Sequence, residues 1–174
     1  MMLPRSCAAI ALVVLAHTAS ARADEHEAGA EAEGHEHHHH ENHVAVFVGA
    51  TTTLVDTDPT HATIGIDYER RLPFADRMIG VGALVDAQIV HEAETEVETI
   101  IAPFVAIHPM GGLMILGAAG VAVTGAGHNG HLALRGGAAY FFPVGGFSVG
   151  PEVNVDHVNG ENAVVYGVSA GMGF

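Results

Sequence analysis

The strongest fold signal in this sequence is the stretch AVVYGVSAGMGF at residues 163–174. Every second residue of it belongs to one apolar face, made of Val164, Tyr166, Val168, Ala170, Met172 and Phe174. The residues between them are mostly Gly, Ala and Ser. A period of two indicates a β-strand whose side chains alternate between two environments. Neither face is polar, so the pattern favours a closed barrel in lipid, with the larger side chains facing hydrocarbon and the small ones facing a narrow, filled interior.

The terminal phenylalanine, preceded by apolar residues at steps of two, resembles the C-terminal signature of bacterial outer-membrane β-barrels. The residues that carry the resemblance are Tyr166, Val168, Met172 and Phe174. The resemblance implies a final strand that the barrel-assembly machinery recognises. It also implies a place in the outer membrane of a Gram-negative bacterium.

Eight β-rich runs occupy the chain from residue 43 onward, at about 43–53, 61–71, 78–88, 96–108, 113–123, 131–142, 147–156 and 163–174. Short connections at 72–77, 109–112 and 143–146 alternate with polar loops near 54–60, 89–95, 124–130 and 157–162. This alternation is typical of periplasmic turns and extracellular loops. The sequence therefore predicts an all-β fold, an eight-stranded antiparallel up-and-down transmembrane β-barrel with both termini in the periplasm.

In architecture this region is similar to the OmpA/OmpX-type or opacity-protein-like porin superfamily. Aromatic residues support the interpretation, because they fall at the turn ends of the predicted strands, where they would form an interfacial girdle. They are Tyr68, Phe74, Tyr140, Phe142, Phe147 and Phe174. The alternative is a soluble β-sandwich or lipocalin-like barrel, which would have to place Asp67, Glu69, Glu152 and Arg135 on its outside.

The N-terminal region predicts export. A short basic segment, ten apolar residues at 7–16 and an Ala-Arg-Ala site at 21–23 indicate a signal peptide at residues 1–23. The apolar run is too short for a membrane-spanning helix, which needs about 20 residues. Residues 24–42 form a His/Glu-rich stretch with too few apolar residues to offset ordering entropy, so we expect a disordered periplasmic tail. Residues 43–174 form the predicted barrel.

Composition limits the classes of partner. The net charge is −14 at pH 7 and lysine is absent, so binding to nucleic acid is excluded on electrostatic grounds. Outer-membrane lipid and lipopolysaccharide are the partners that the barrel implies, besides the assembly machinery. The single cysteine, Cys7, falls in the predicted signal peptide, so the mature chain has no thiol chemistry.

The predicted tail is the first candidate site. Its imidazoles are good ligands for zinc, nickel and copper, and neighbouring carboxylates raise the local cation concentration. The candidate ligands are His26, His35, His37, His38, His39, His40 and His43. The other interpretation is a solvated linker without a metal. The sequence requires no cofactor, and any bound Zn, Ni or Cu would be held by the tail.

The predicted interior contains a second candidate, a charge network of Asp67, Glu69, Arg135 and Glu152, with Asp86 as a further member. Buried charge must be paired, so we expect Arg135 to neutralise these carboxylates. Histidines of the polar loops, at positions 61, 91, 128, 131 and 157, lie near acids in sequence, but their spacing matches no ligand motif.

Catalysis is not expected, because a serine hydrolase needs a serine activated by a histidine. The mature chain has only Ser148 and Ser169, and neither has a histidine nearby in sequence. The sequence thus favours a non-enzymatic outer-membrane protein with a structural or surface-interaction role and a metal-binding tail. Two alternatives stay open: a periplasmic metal-sequestration or metal-uptake accessory protein, and a small channel.

Overall fold

The computed structural model describes residues 41–54, 60–91, 95–125 and 130–174. The predicted signal peptide and the predicted tail up to residue 40 lie outside these ranges. The strands are β1 (Asn42–Thr53), β2 (Thr60–Arg71), β3 (Ile79–His91), β4 (Thr95–Met110), β5 (Leu113–Thr124), β6 (Gly130–Tyr140), β7 (Phe142–Val144), β8 (Phe147–Val158) and β9 (Glu161–Gly173). A single 3-10 turn, Ala75–Arg77, precedes β3. Within the described ranges, no helix is long and apolar enough to cross a membrane.

The strands close into one antiparallel barrel. Each of β1 to β5 pairs with the next strand in the chain, β8 pairs with β9, and β9 pairs with β1. The ring is completed by β6 and β8, which pair antiparallel from Ala133 opposite Val158 to Ala139 opposite Glu152. The predicted eight-stranded up-and-down barrel is therefore confirmed.

The sixth strand of the barrel differs from the prediction of one run at 131–142. It is divided at Phe141 into β6 and the three-residue β7, which pairs only with the start of β8. Phe141 leaves the ladder and its main-chain N–H donates to the carbonyl oxygen of Gly112 at 2.7 Å. The backbone of Tyr140 and Phe141 also passes over Gly150, where any side chain would collide with the Tyr140 carbonyl. A local backbone interaction of this kind has no signature in side-chain periodicity.

The connections define two ends. The turn end carries both described termini, the 3-10 turn and the two-residue turns Gly111–Gly112 and Gly145–Gly146, and the opposite end is the loop end. At the loop end the predicted polar loop at 157–162 is wrong. Both strands continue instead to a two-residue turn at Asn159 and Gly160, each with positive φ (51° and 88°). Asn-Gly is the sequence that a tight hairpin turn favours, so the signal was present in the sequence.

The two faces of the wall follow the predicted strand phases. Ile64, Ile66 and Tyr68 of β2 are exposed, whereas Thr63, Gly65 and Glu69 are buried. The same alternation holds in β8 and β9. The outer face carries large apolar side chains from every full-length strand, among them Val48 (61% exposed), Ile101, Val105, Leu132, Val153 and Val168. The sheet is thus apolar on its outside, the reverse of a soluble barrel.

Inside, small residues make room for large ones. The ring of Phe47 occupies the space beside Gly49 and Gly167, and the ring of Phe104 occupies the space beside Gly82. Leu84, Met114 and Leu116 complete a buried cluster with several alanines. An eight-stranded barrel has an interior just wide enough for such filling. Each of these inward phenylalanines fills the space that a neighbouring glycine leaves open. For this reason the inward positions combine very large and very small residues and show no regular pattern in the sequence.

Candidate functional site in the barrel interior

The turn end of the outer face carries the aromatic residues predicted for a girdle. All six are exposed: Tyr68, Phe74, Tyr140, Phe142, Phe147 and Phe174. The Tyr68 hydroxyl donates to Asn42 Oδ1 at 2.7 Å, and the rings of Tyr140 and Phe142 lie 4.9 Å apart. An apolar ring with a polar tip suits a membrane interface.

Arg135 is the centre of the interior charge network, and it contacts one predicted member, Asp86, and one acid that was not predicted, Asp156. Its Nε and Nη2 donate to the two carboxylate oxygens of Asp156 at 2.6 and 2.7 Å, and its Nη1 donates to Asp86. All three side chains are buried. The expectation that Arg135 neutralises Asp67, Glu69 and Glu152 is therefore wrong. Asp156 faces Arg135 across the β6–β8 ladder, where the register places the two residues opposite each other.

Glu69 belongs to a separate cluster at the turn end. Its Oε1 accepts from His108 Nε2 at 2.7 Å, and Arg71 Nε lies 3.9 Å from the same oxygen. Arg71 Nη2 lies 3.3 Å from His108 Nδ1. An arginine can only donate, so Arg71 is the donor in its contact with the ring. The His108 imidazole thus bridges the Arg71 guanidinium and the Glu69 carboxylate.

Glu152 has no cationic partner among the described residues. Its Oε2 accepts from the Ser169 hydroxyl and its Oε1 accepts from Asn154 Nδ2 at 2.8 Å. Asp67 also faces the interior, on the inward side of β2. The four predicted residues therefore do not form one network, because Arg135, Glu69 and Glu152 each have different partners.

A serine and a histidine are in contact at the turn end, although they are far apart in the sequence. His43 Nε2 and Ser148 Oγ share a hydrogen bond of 3.3 Å across 105 residues, and Ser148 Oγ also donates to the Gly171 carbonyl at 3.4 Å. The His43 ring packs edge-on against Phe141 at 5.4 Å. Barrel closure pairs both β1 and β8 with β9. Matching the inward positions of these three strands could therefore have suggested the contact between His43 and Ser148. The contact connects β1 to β8 beside a cavity at the turn end that His43 and Ser148 help to line.

Two cavities flank the filled middle of the barrel. A cavity of about 530 Å³ opens at the turn end and is lined by Glu69, Arg71, His108, His43 and Ser148, together with apolar side chains and turn glycines. A second cavity of about 230 Å³ lies at the loop end. It is lined by polar residues that include Thr51, Gln88, Glu98, His131 and Asp156. Neither is a continuous passage, because Phe47, Leu84 and Phe104 are buried between the two ends.

The predicted metal ligands fall mostly outside the described residues. Of the seven histidines only His43 is described, and it faces the interior. The loop histidines also diverge, since His61 is buried while His157 is exposed and bonded to Asn162 at 2.9 Å. In residues 41–54, 60–91, 95–125 and 130–174, no group of three or more His, Cys, Asp or Glu side chains is arranged to hold a metal ion.

Comparison with known proteins supports the fold. No protein-family model matches the sequence, and no curated protein matches it significantly. The structure is similar to that of Ail, the attachment invasion locus protein of Yersinia pestis, with a TM-score of 0.59 and 11% identity over 78% of this chain and 99% of Ail. A structure of Ail in complex with the heparin analogue sucrose octasulfate gives 0.56 and 12% identity over 76% and 97%.

A de novo designed transmembrane β-barrel is similar as well, with a TM-score of 0.52 and 10% identity over 75% of this chain and 95% of the design. A designed sequence has no common ancestry with this chain, so the likeness is one of architecture. The similarity extends over nearly the whole length of each of these structures, 95% or more of each chain. The chain therefore has the fold of the small eight-stranded outer-membrane β-barrels.

Proposed function

We propose that this chain is an integral protein of the outer membrane of a Gram-negative bacterium, with a structural or surface-interaction role and both termini in the periplasm. The observation that carries the proposal is the outer face of the barrel. Large apolar side chains cover it from Val46 and Val48 on β1 round to Val168 on β9, and most are about half exposed. A soluble monomer rarely shows an apolar surface of that extent, whereas hydrocarbon removes it from water.

The girdle supports the orientation. Exposed aromatic rings lie at the turn end, beside the exposed Arg70 and the half-buried Arg77. Aromatic rings and arginines suit the boundary between hydrocarbon and headgroups. Outer-membrane barrels have short turns on the periplasmic side, and on that basis we propose that this end of the chain faces the periplasm. Phe174 then completes a final strand that the assembly machinery would recognise.

The filled interior supports a structural or surface role over that of a channel. Between the two cavities lie buried phenylalanine rings, buried leucine side chains and the Arg135 ion pairs, and porins that conduct solutes need about sixteen strands. The loop end carries described acids at Glu96, Glu98 and Glu161. Such a surface repels polyanions and favours contact with lipopolysaccharide through divalent cations. The polyanion seen with Ail is therefore a poor match here.

Fractionation tests this proposal. The mature protein is expected to sediment with outer membranes and to migrate on cold SDS gels as a compact form that heating converts to a slower one, because a closed barrel resists detergent. An unfolded or soluble protein would show no such shift. Recovery of a detergent-free soluble monomer would contradict the proposal.

For the tail we propose moderate binding of zinc, nickel or copper. The support is its ligand density, with six histidines between residues 26 and 40 interleaved with glutamates. An unorganised site must order itself to bind, so we expect dissociation constants in the micromolar range or weaker.

Deletion of residues 24–40 is expected to abolish most nickel or zinc binding by calorimetry at pH 7.5 while the heat-modifiable barrel stays intact. The binding of the full chain should fade as the pH falls through the unperturbed histidine value of about 6.5, because metal binding needs neutral imidazole. Unchanged affinity after the deletion would assign the metal to the barrel and refute the tail site.

A further inference from the structure

The turn-end cavity contains a hydroxyl group in contact with an imidazole. His43 Nε2 and Ser148 Oγ are 3.3 Å apart, and both half-buried side chains line the cavity of about 530 Å³. Neither serine of the mature chain has a histidine nearby in sequence, but barrel closure pairs β1 and β8 with β9 and brings His43 to Ser148. A serine with an adjacent imidazole is the arrangement that nucleophilic catalysis requires.

Packing holds the His43 ring in place against Ser148. The ring lies edge-on to Phe141, with 5.4 Å between the two centroids. Gly171, which is opposite Ser148 in the β8–β9 ladder, leaves open the space that the ring occupies, because a Cβ there would lie 2.6 Å from His43 Nε2. A side chain at position 171 would therefore displace the imidazole. The pair is thus positioned by its neighbours as well as by its own hydrogen bond.

The hydroxyl proton of Ser148 is within reach of the imidazole. Ser148 Oγ lies 3.3 Å from His43 Nε2 and 3.4 Å from the Gly171 carbonyl oxygen, so two acceptors compete for one proton. When the proton of a neutral imidazole is on Nδ1, Nε2 accepts from the hydroxyl. Hydrogen bonds between catalytic groups are often long before substrate binds, so 3.3 Å is compatible with general-base catalysis.

The cavity favours a small and largely apolar substrate. Its volume of about 530 Å³ is in the usual range for small-molecule sites, about 300–1,000 Å³. Phe141, Phe147 and Pro143 form apolar parts of its wall. Arg71 lines the same cavity and is a cation that can stabilise an oxygen on which negative charge develops. A carboxylic ester with short acyl and alcohol groups has the size and the polarity that this lining accommodates.

We propose that Ser148 and His43 hydrolyse short-chain carboxylic esters in the turn-end cavity, with Ser148 as the nucleophile and His43 as the general base. Ser148 Oγ attacks the carbonyl carbon while His43 Nε2 takes the hydroxyl proton. The bond between the carbonyl carbon and the alcohol oxygen then breaks, and the alcohol leaves with that proton. Water attacks the acyl-serine and gives a proton to Nε2, and this proton returns to Oγ as the carboxylic acid is released. The activity is additional to the proposed role in the outer membrane and does not depend on it.

The experiment uses refolded, heat-modifiable mature protein and two probes, an alkyl fluorophosphonate and p-nitrophenyl butyrate. We expect the fluorophosphonate to form one adduct, which peptide mass spectrometry places at Ser148. Ser169 is the internal control, because the mature chain has only these two serines and Ser169 is 0% exposed. The wild type should hydrolyse the butyrate ester faster than the Ser148→Ala variant does. The histidines of the tail are the same in both proteins, so their background hydrolysis cancels.

His43→Gln separates a catalytic pair from a merely structural contact. Glutamine can still form hydrogen bonds but cannot act as a base, so labelling and ester turnover should each fall by about 100-fold or more. The matched control is His157→Gln at the exposed loop end, which should change neither rate. Equal rates in H43Q and wild type would overturn the proposal. So would the absence of an adduct at Ser148, or turnover no faster than that of S148A. All proteins are compared in the heat-modifiable form, so these outcomes leave the membrane-barrel assignment separately testable.

Discussion

Replacing Arg135 with methionine is expected to lower the free energy of unfolding of the refolded barrel by about 3–5 kcal/mol, because the change leaves two buried carboxylates without their counter-charge. Arg135 donates to both oxygens of Asp156 and to Asp86, and all three side chains are buried. Methionine keeps most of the volume, so the loss should come from charge and not from a cavity. Urea unfolding in detergent or liposomes measures it.

Two further variants make this prediction specific. Converting Asp86 and Asp156 to asparagine in the R135M background removes both unpaired charges and should recover most of the lost stability. The control is Arg70→Met, since Arg70 lies on the exposed face at the turn end and its loss should change stability by no more than about 0.5 kcal/mol. An R135M barrel within about 1 kcal/mol of the wild type would refute the central role of the ion pairs.

Replacing Gly49 with leucine is expected to prevent the heat-modifiable form or to destabilise it by about 3 kcal/mol or more, at the upper end of overpacking effects. Gly49 faces the interior, and a side chain there would collide with the Phe47 ring, the main-chain oxygen of Tyr166 and the Gly167 Cα. Two of these obstacles are backbone atoms of the neighbouring strand, so no rotamer change relieves them.

The matched control is Gly117→Leu. Gly117 is also a glycine of a barrel strand, but it faces outward, and a side chain there meets nothing within 4 Å. Leucine on a lipid-facing position should leave the folding yield unchanged. Equal folding yields for the two leucine variants would mean that the interior is not filled as the structure describes it.

Side-chain periodicity was sufficient to predict the barrel and most of its two faces. Along most of β2, β8 and β9, apolar outward residues alternate with small or polar inward residues, so the outward set followed from counting by two. In β1 and β4 both faces are largely apolar, and the sequence did not separate them. The structure does so through packing, since Phe47 and Phe104 face inward where neighbouring glycines leave space.

Asp86 was among the acids expected near Arg135, but Asp156 could not be predicted as its main partner, because that contact depends on the register between strands. Asp156 lies opposite Arg135 only through the β6–β8 ladder that closes the ring, and Asp86 approaches from β3 across the interior. The alternation along a strand predicts which side chains point inward. It does not predict the level along the barrel axis at which a side chain lies, and so it does not predict which side chains of other strands it contacts. For the same reason, the sequence did not predict that His108 lies beside Glu69 or that His43 lies beside Ser148.

A nitroxide scan along β1 tests most directly whether the outer face lies in lipid. The only cysteine is Cys7, in the predicted signal peptide, so single cysteines at positions 44 to 48 and at 50 and 51 can be labelled in liposome-reconstituted mature protein without background. Position 49 is left out, because a side chain there collides with its neighbours. Oxygen, which concentrates in hydrocarbon, should reach the labels with a period of two. We predict maxima at 46, 48 and 50 and minima at 45 and 47. A flat profile, or uniformly high access to a water-soluble nickel reagent, would contradict a membrane-spanning barrel.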